Sequence, residues 1–268
     1  MDYSGYTITS CPGCQKSLSF TNPYTQLQVC TCGTVVERTE YGTFNAKPIG
    51  VLLHKHSFIQ PGSTGEWESK KFTVLGRCFC WFDENVFSYW TIEWADRTVA
   101  WLGEGYGLFF IMQPVKQEKY ISTATLDAYQ TGSRYEIEIN KEYLLEKKQL
   151  TLSWEMEGEV FLPWQPSQLR FFDFASGTGK RITIVDFKNN VSQCFDVTPV
   201  SLSALGLSNF REKADTTRRF SCKKCNTELQ ITTFPLAQSA ACPSCGSTYV
   251  FQNGTDFKKD GPPLPTSG

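Results

Sequence analysis

The amino-acid sequence predicts a mainly β protein, in which a central antiparallel sandwich or roll of two meanders is flanked by a small ribbon at each end. The first observation behind this prediction is composition. Aromatic residues make up 14% of the 268 residues, and aromatic side chains are enriched in strands. The second observation is a pair of cysteine quartets, one near each end of the chain: Cys11, Cys14, Cys30 and Cys32, and Cys222, Cys225, Cys242 and Cys245.

Each quartet has the spacing of a four-thiolate zinc site. Two cysteines close together on a tight turn can direct both sulfurs at one ion, and a second such turn completes a tetrahedron. The residues between the two pairs number 15 in the first quartet and 16 in the second, within the range typical of such sites. We therefore predict two Zn²⁺ ions with structural roles, since four thiolates leave no position for a catalytic water.

The first quartet departs from the usual pattern at one point. Cys30 and Cys32 are separated by one residue where two are usual. Cys32 precedes a glycine, as a ligand on a tight turn should. The participation of Cys30 therefore stays open at the level of sequence.

Disulfide bonds are the alternative use of these cysteines. The start of the chain, Met1 to Tyr6, lacks the basic head and apolar run of an export signal. We therefore expect a reducing cytoplasmic location, in which paired cysteines are more often metal ligands. No stretch approaches the roughly 20 apolar residues of a membrane span. A net charge of −1 argues against a polyanion-binding role for the chain as a whole.

Two sets of alternating strands predict the central domain. The first set is 72–81, 89–94, 98–102 and 107–112, and the second is 135–139, 150–154, 169–174, 181–185 and 193–197. Strands at intervals of about 8–12 residues indicate meanders. Only 141–148 and 199–209 are compatible with short helices, and Ser176–Lys180 is interpreted as a hairpin turn rather than a phosphate-binding loop, because no helix follows it.

These patterns divide the chain into five parts. We predict an N-terminal zinc ribbon at 1–40, a connector at 41–65, a central β domain at 66–210, a C-terminal zinc ribbon at 211–260 and a disordered tail at 261–268. A tail rich in proline and glycine lacks the apolar content needed to form a packed core.

Several short blocks of the central domain resemble a known family. They are Phe72–Arg77, Tyr89–Trp94, Thr98–Leu108 and Glu157–Glu159 followed by Phe172 and Asp173. In this order they resemble an uncharacterised bacterial family catalogued as domain of unknown function 4178, over roughly residues 45–205. The family has no established activity. The resemblance implies a bacterial origin and a link to membrane-stress systems.

Other residues allow sharper hypotheses that the sequence does not favour. Cys78, Cys80 and Cys194, with His54 and His56, could form a third metal site, but small buried cysteines are common in cores. Trp90, Trp94 and Trp101 could line a ligand groove around Glu93, although alternating aromatic residues more often fill a core. If Glu93 proves buried, it becomes a site candidate.

The prediction for function is a non-enzymatic zinc-binding adaptor or binding protein, whose central domain recognises a protein partner or a small ligand. No catalytic residues are predicted. The alternative is a nucleic-acid-binding regulator, because residues 211–245 carry six basic and three acidic side chains. Its basic residues would be Arg218, Arg219, Lys223 and Lys224. An enzyme built on the β domain ranks last, since it needs a pocket with convergent polar groups.

Overall fold

The computed structural model describes residues 7–38, 44–48, 57–83, 86–105, 108–116, 121–162, 168–187, 191–211, 218–222, 224–231, 239–252 and 256–259. Within these ranges the protein is mainly β, with one short α-helix, and its strands pair in antiparallel fashion. The predicted fold class is confirmed: a central antiparallel roll with a cysteine quartet near each end.

The elements fall into three groups along the chain. The N-terminal group is β1 (Thr7–Ser10), β2 (Ser17–Phe20), β3 (Leu27–Val29), β4 (Thr34–Arg38) and β5 (Phe44–Pro48). The central group is β6 (Thr64–Trp67), β7 (Lys70–Trp81), β8 (Val86–Trp94), β9 (Val99–Gly105), β10 (Leu108–Val115), α1 (Thr123–Ala128), β11 (Arg134–Glu138), β12 (Lys141–Leu150), β13 (Ser153–Val160), β14 (Arg170–Ser176), β15 (Arg181–Asp186), β16 (Ser192–Val200) and the 3-10 helix Leu202–Leu205. The C-terminal group is β17 (Arg218–Ser221), β18 (Glu228–Ile231), β19 (Ser239–Ala241), β20 (Thr248–Gln252) and β21 (Asp256–Lys259).

One large sheet joins the two meanders. Its strand order is β11-β12-β14-β15-β16-β10-β9-β8-β7-β13-β3-β4-β5, and β6 pairs with β7. The meander β7 to β10 lies beside β14 to β16, because β10 pairs with β16. Strands β12 and β13 follow each other closely in the chain, yet β12 pairs with β14 and β13 with β7, at opposite ends of this run. The run therefore closes into a roll.

The inside of the roll is an aromatic core shared by both meanders. Tyr89 stacks on Phe171 with ring centroids 4.9 Å apart, and Trp101 stacks on Phe195 at 4.7 Å. Each pair joins a strand of one meander to a strand of the other. Fully burying one such large apolar side chain contributes about 2 kcal/mol, so these contacts hold the two layers together.

Each meander also buries its outer face. The outer face of the first meander carries Trp90, Ile92 and Trp94, which pack with Ile59 and Leu205. The predicted alternation of these three β8 residues is therefore confirmed. The outer face of the second meander packs against α1 and β11. Three apolar layers result, and the inner one lies between the two meanders.

Strands β3 to β5 of the first ribbon are continuous with the large sheet, and β1 and β2 form a separate two-stranded sheet. Strand β3 pairs with β13, and the loop after β2 holds the carboxylate of Glu159 on β13. Glu159 accepts hydrogen bonds from the backbone N–H groups of Thr21 and Asn22 and from the hydroxyls of Thr21 and Thr25. Hydrogen bonds to a charged group contribute about 1.5–3 kcal/mol each. The ribbon is thereby anchored to the roll.

Five elements differ from the sequence-based expectations. Residues 141–148, considered as a helix, belong to strand β12, because Tyr143 and Leu145 are buried at the two-residue spacing of a strand. The expected strand at 150–154 is interrupted at 151–152, where the chain bends between the end of β12 at Leu150 and the start of β13 at Ser153. In the region 199–209, strand β16 continues to Val200, and the 3-10 helix Leu202–Leu205 that follows ends at Gly206 in the left-handed conformation. The sequence patterns predict neither helix α1 nor strand β5, which lies inside the expected connector.

The hairpin interpretation of Ser176–Lys180 is confirmed. Strands β14 and β15 pair on either side of it, and the Ser176 N–H donates to the Lys180 carbonyl at 2.8 Å. Among the described residues no helix is both long and apolar enough to cross a bilayer. The predicted tail at 261–268 lies outside the described residues.

Candidate metal centres

The structure brings each cysteine quartet together. In the first, the Sγ atoms of Cys11 and Cys32 lie 3.6 Å apart, and those of Cys14 and Cys30 lie 3.5 Å apart. All four sulfurs of each quartet lie within 4.8 Å of one another. Four sulfurs at about 2.3 Å from one ion would be roughly 3.8 Å apart. Each quartet could therefore hold one metal ion, and Cys30 lies within the first group.

The second quartet has the same arrangement. The Sγ atoms of Cys222 and Cys245 lie 3.6 Å apart, and those of Cys225 and Cys242 lie 3.5 Å apart. A disulfide bond needs a sulfur–sulfur distance of about 2.05 Å. These cysteines are free thiols, placed as metal ligands would be.

Each of the four cysteine turns is closed by a backbone hydrogen bond to the carbonyl of its first cysteine. In three of them the first cysteine carbonyl accepts from the N–H four residues later, as from Gln15 to Cys11, from Asn226 to Cys222 and from Gly246 to Cys242. In the fourth, the Gly33 N–H donates to the Cys30 carbonyl only three residues back. The single spacer between Cys30 and Cys32 is thus accommodated by a turn that is one residue shorter.

The residue after the second cysteine has a positive φ in every turn. The values are 63° for Gln15, 87° for Gly33, 60° for Asn226 and 70° for Gly246. The two glycines are readily identified in the sequence, because glycine adopts this conformation without steric cost. Gln15 and Asn226 were missed, although asparagine is enriched among the non-glycine residues that adopt a positive φ.

Within each turn the two cysteines differ in exposure. The first cysteine of each turn is buried, with 0–3% of its surface exposed. The second is exposed in three turns, and Cys245 is half-buried. Each ion would therefore lie between a buried pair and an outer pair of sulfurs.

Each of three outer sulfurs lies next to one hydroxyl group. The Sγ of Cys32 lies 3.3 Å from Thr34 Oγ1, that of Cys225 lies 3.2 Å from Thr227 Oγ1, and that of Cys245 lies 3.2 Å from Ser247 Oγ. The hydrogen bond with Thr34 lowers the pKa of Cys32 to about 6. The sequence signal is a hydroxyl residue two positions after the second cysteine, and only the turn at Cys14 lacks it, since Lys16 stands there.

A tyrosine supports the buried side of the second quartet. The Tyr249 hydroxyl on β20 donates to Cys222 Sγ at 2.9 Å, and both residues are buried. This hydrogen bond lowers the pKa of Cys222 to about 6. Outer partners of this kind fix ligand orientation and increase metal affinity. Nothing in the local sequence pattern identified Tyr249 in advance.

The other candidate residues do not form a site in the described part of the chain. The Sγ atoms of Cys78 and Cys80 lie 3.6 Å apart inside the roll, whereas Cys194 is buried on the outer face of the second meander. Burial raises the pKa of Cys194 to about 12, so it is an inert core thiol. His54 and His56 lie outside the described residues.

The tryptophans fill cores rather than a groove. Trp90 and Trp94 belong to the outer core of the first meander and Trp101 to the inner core. Glu93 is half-buried, and its carboxylate accepts from Asn22 Nδ2 at 2.6 Å and from Arg97 Nη1 at 2.5 Å. Glu93 therefore helps to attach the first ribbon to the roll.

The basic residues of the second ribbon are only partly described. Arg218 and Arg219 lie on β17, which pairs with β18, and Lys224 is exposed. Lys223 lies outside the described residues.

Comparisons with known proteins place the chain in no group. No family model, no curated protein and no solved structure matches it. The resemblance of 45–205 to domain of unknown function 4178 therefore stays a prediction.

Proposed function

We propose that this chain is a non-enzymatic binding protein held together by two structural zinc ions. The observation that carries the proposal is the grouping of eight cysteine sulfurs into two closed sets of four. Closed sets of four thiolates suit Zn²⁺, which prefers tetrahedral sulfur coordination and needs no further ligand in structural sites. The ions would stabilise ribbons that are too small to form sufficient cores of their own.

In this proposal the central β roll is the recognition module. It would bind a protein partner or a small ligand in a cytoplasmic setting. The link to membrane-stress systems comes from the family resemblance alone and is part of the proposal. The continuity of the first ribbon with the roll supports a framing role for that ribbon, because β3 extends the same sheet.

The amide spectrum of Cys242→Ser tests the structural role of the metal. We expect the resonances of the second ribbon to collapse to random-coil positions, while those of the roll stay dispersed. Lys224→Ala is the matched control, since Lys224 lies on the same ribbon but is exposed. A dispersed ribbon spectrum in metal-free Cys242→Ser protein would refute the structural role.

Nucleic-acid binding is the second candidate function, favoured by the net charge of +3 over residues 211–245. It predicts binding that weakens steeply with salt, because phosphate contacts release counterions. Replacement of Arg218, Arg219 and Lys224 by Ala should abolish such binding. Binding that does not respond to salt would rule this function out.

A further inference from the structure

A cavity of about 990 Å³ opens between the two meanders. Along the strands that build it, the inward side chains change from apolar to polar. On β14 the inner positions run from Phe171 to Asp173, and on β15 they run from Val185 to Thr183 and Arg181. The inner core is apolar at one end of these strands, and the cavity begins where the inward residues become polar.

The cavity has an aromatic wall. Phe87 on β8 and Phe110 on β10 line it, and both rings remain half-exposed. Each ring lies against a glycine of β9. A Cβ atom on Gly105 would come within 2.3 Å of the Phe87 ring, and one on Gly103 within 2.0 Å of the Phe110 ring. The two glycines therefore leave room for two rings on the cavity side of β9.

Polar groups converge on the opposite wall. Asp173 on β14 and Thr183 on β15 are directly paired across the two strands, and the Thr183 hydroxyl donates to Asp173 Oδ1 at 2.7 Å. Desolvation raises the pKa of Asp173. Tyr89 also lines this region. A few convergent polar groups in an otherwise apolar cavity are typical of a small-molecule site.

The charges at the rim decide which ligand is suitable. Arg181 Nη1 lies 3.1 Å from Glu146 Oε2, so this pair is locally neutral. Lys147 is exposed and lies across from Asp173 on the neighbouring strand. Water screens an exposed ammonium group well, whereas an enclosed carboxylate retains more of its field. The lining carries Asp173 and Glu146 against Lys147 and Arg181, and of these four side chains only Asp173 is not exposed. Its carboxylate is therefore the charge that acts most directly inside the cavity.

We propose that this cavity binds an organic cation, namely an ammonium group carried on an apolar body. The ammonium group lies at Asp173, and the rings of Phe87, Tyr89 and Phe110 contribute cation–π attraction and apolar contact. The exposed side chains of Leu108 and Leu202 at the rim contact the outer part of the ligand. This proposal deepens the proposed binding function of the roll and rests on it.

The test is a titration of the full-length protein with three probes of similar shape: phenethylammonium, phenethyl alcohol and hydrocinnamate. Amide shifts of β8, β10 and β14 locate the binding, and their dependence on probe concentration gives the dissociation constant. We expect phenethylammonium to bind about tenfold more tightly than phenethyl alcohol. Hydrocinnamate should bind more weakly than either, because it brings a second carboxylate next to Asp173.

Two variants separate the electrostatic contributions. Asp173→Asn should remove the preference for the cation and leave the alcohol almost unaffected. Lys147→Gln should preserve or increase cation affinity, since it removes a like charge near the site. Asp83→Asn is the matched control, because Asp83 is exposed and does not line this cavity. Phe110→Leu should weaken phenethylammonium binding and keeps the proposal testable if Asp173→Asn does not fold.

Three results would overturn the proposal. Hydrocinnamate could bind most tightly and lose affinity in Lys147→Gln, which would make the cavity an anion site. The three probes could bind equally, which would leave an apolar site without charge selection. The amides of β8, β10 and β14 could fail to respond to any probe. The zinc content of the same sample is measured separately, so a failed cavity is distinguished from a failed zinc assignment.

Discussion

The residue after the second cysteine of each turn is held at a positive φ. A left-handed conformation costs a side chain with a Cβ atom about 1–2 kcal/mol, and two of the four turns tolerate it with Gln15 and Asn226. The turns keep this geometry because it directs both sulfurs of a pair to the same point. The grouping of the cysteines into two quartets was predictable from spacing, with Cys30 left open. The conformation of Gln15 and Asn226 was not, since neither residue type requires a positive φ.

At the residue scale, Tyr249→Phe tests the outer hydrogen bond to Cys222. Loss of the hydroxyl should raise the pKa of Cys222, so protons compete better for the sulfur and metal is released at higher pH. Metal affinity at this site should fall about tenfold. Competition with a chromophoric chelator measures this affinity. Tyr24→Phe is the control, since Tyr24 is 55% exposed, and an equal effect of both variants would contradict the assigned role.

A second prediction at the residue scale concerns the effect of Asp173→Asn on stability at different pH values. Desolvation raises the pKa of Asp173 in the folded protein above the ordinary 3.8. The folded state therefore holds the proton more tightly than the unfolded chain. The resulting stabilisation is present in acid and is lost as pH rises through the folded pKa.

Asp173→Asn should consequently be more stable than wild type at neutral pH, and the difference should disappear below pH 3.8. Urea unfolding at a series of pH values measures it. A variant that is less stable at neutral pH would show that the enclosed carboxylate is compensated, which would also weaken the case for a cationic ligand.

At the scale of elements, the bent segment β12 to β13 organises the roll. Its charged sequence, with Lys141, Glu146 and Lys148, is compatible with a helix. Tertiary pairing overrides that local preference, because β12 fills the edge of β14 and buries Tyr143 and Leu145. The hairpins and the alternation in β8 were predictable from short-range patterns. The closure of the roll depends on contacts distant in sequence, which no local pattern reveals.

Glu159→Gln tests the link between the first ribbon and β13. The amide replaces a charged acceptor that now receives hydrogen bonds from Thr21, Asn22 and Thr25. We expect a loss of about 2–3 kcal/mol in the free energy of unfolding. Chemical denaturation followed by tryptophan fluorescence measures it. Glu136→Gln, at an exposed position of β11, is the control, and equal small losses would mean that Glu159 does not anchor the ribbon.

At the scale of the whole molecule, the two ribbons are attached differently. The first shares the large sheet through β3 to β5, with β1 and β2 as a separate pair, whereas all of β17 to β21 lie in separate small sheets within the described residues. The metal of the first ribbon should therefore stabilise the roll, and the metal of the second should not. All 7 Trp residues lie at positions 67 to 164, so tryptophan fluorescence reports on the roll alone.

Cys14→Ser and Cys225→Ser form the matched pair for this difference. Both are exposed second cysteines of a turn. Cys14→Ser should lower the urea midpoint of the fluorescence transition, and Cys225→Ser should leave it unchanged. Equal shifts of the urea midpoint in both variants would mean that the two ribbons stabilise the roll to the same extent, which would contradict this difference.

The most direct test of the central claim is the metal content of the purified protein, measured by elemental analysis together with a count of free thiols. The account predicts two zinc ions per chain, with Cys78, Cys80 and Cys194 as the three cysteines of 11 that do not bind metal. A single zinc ion would show that one quartet, most simply the one with the short Cys30 turn, does not bind. Protein without zinc and with few free thiols would contain disulfides instead, which would contradict the account.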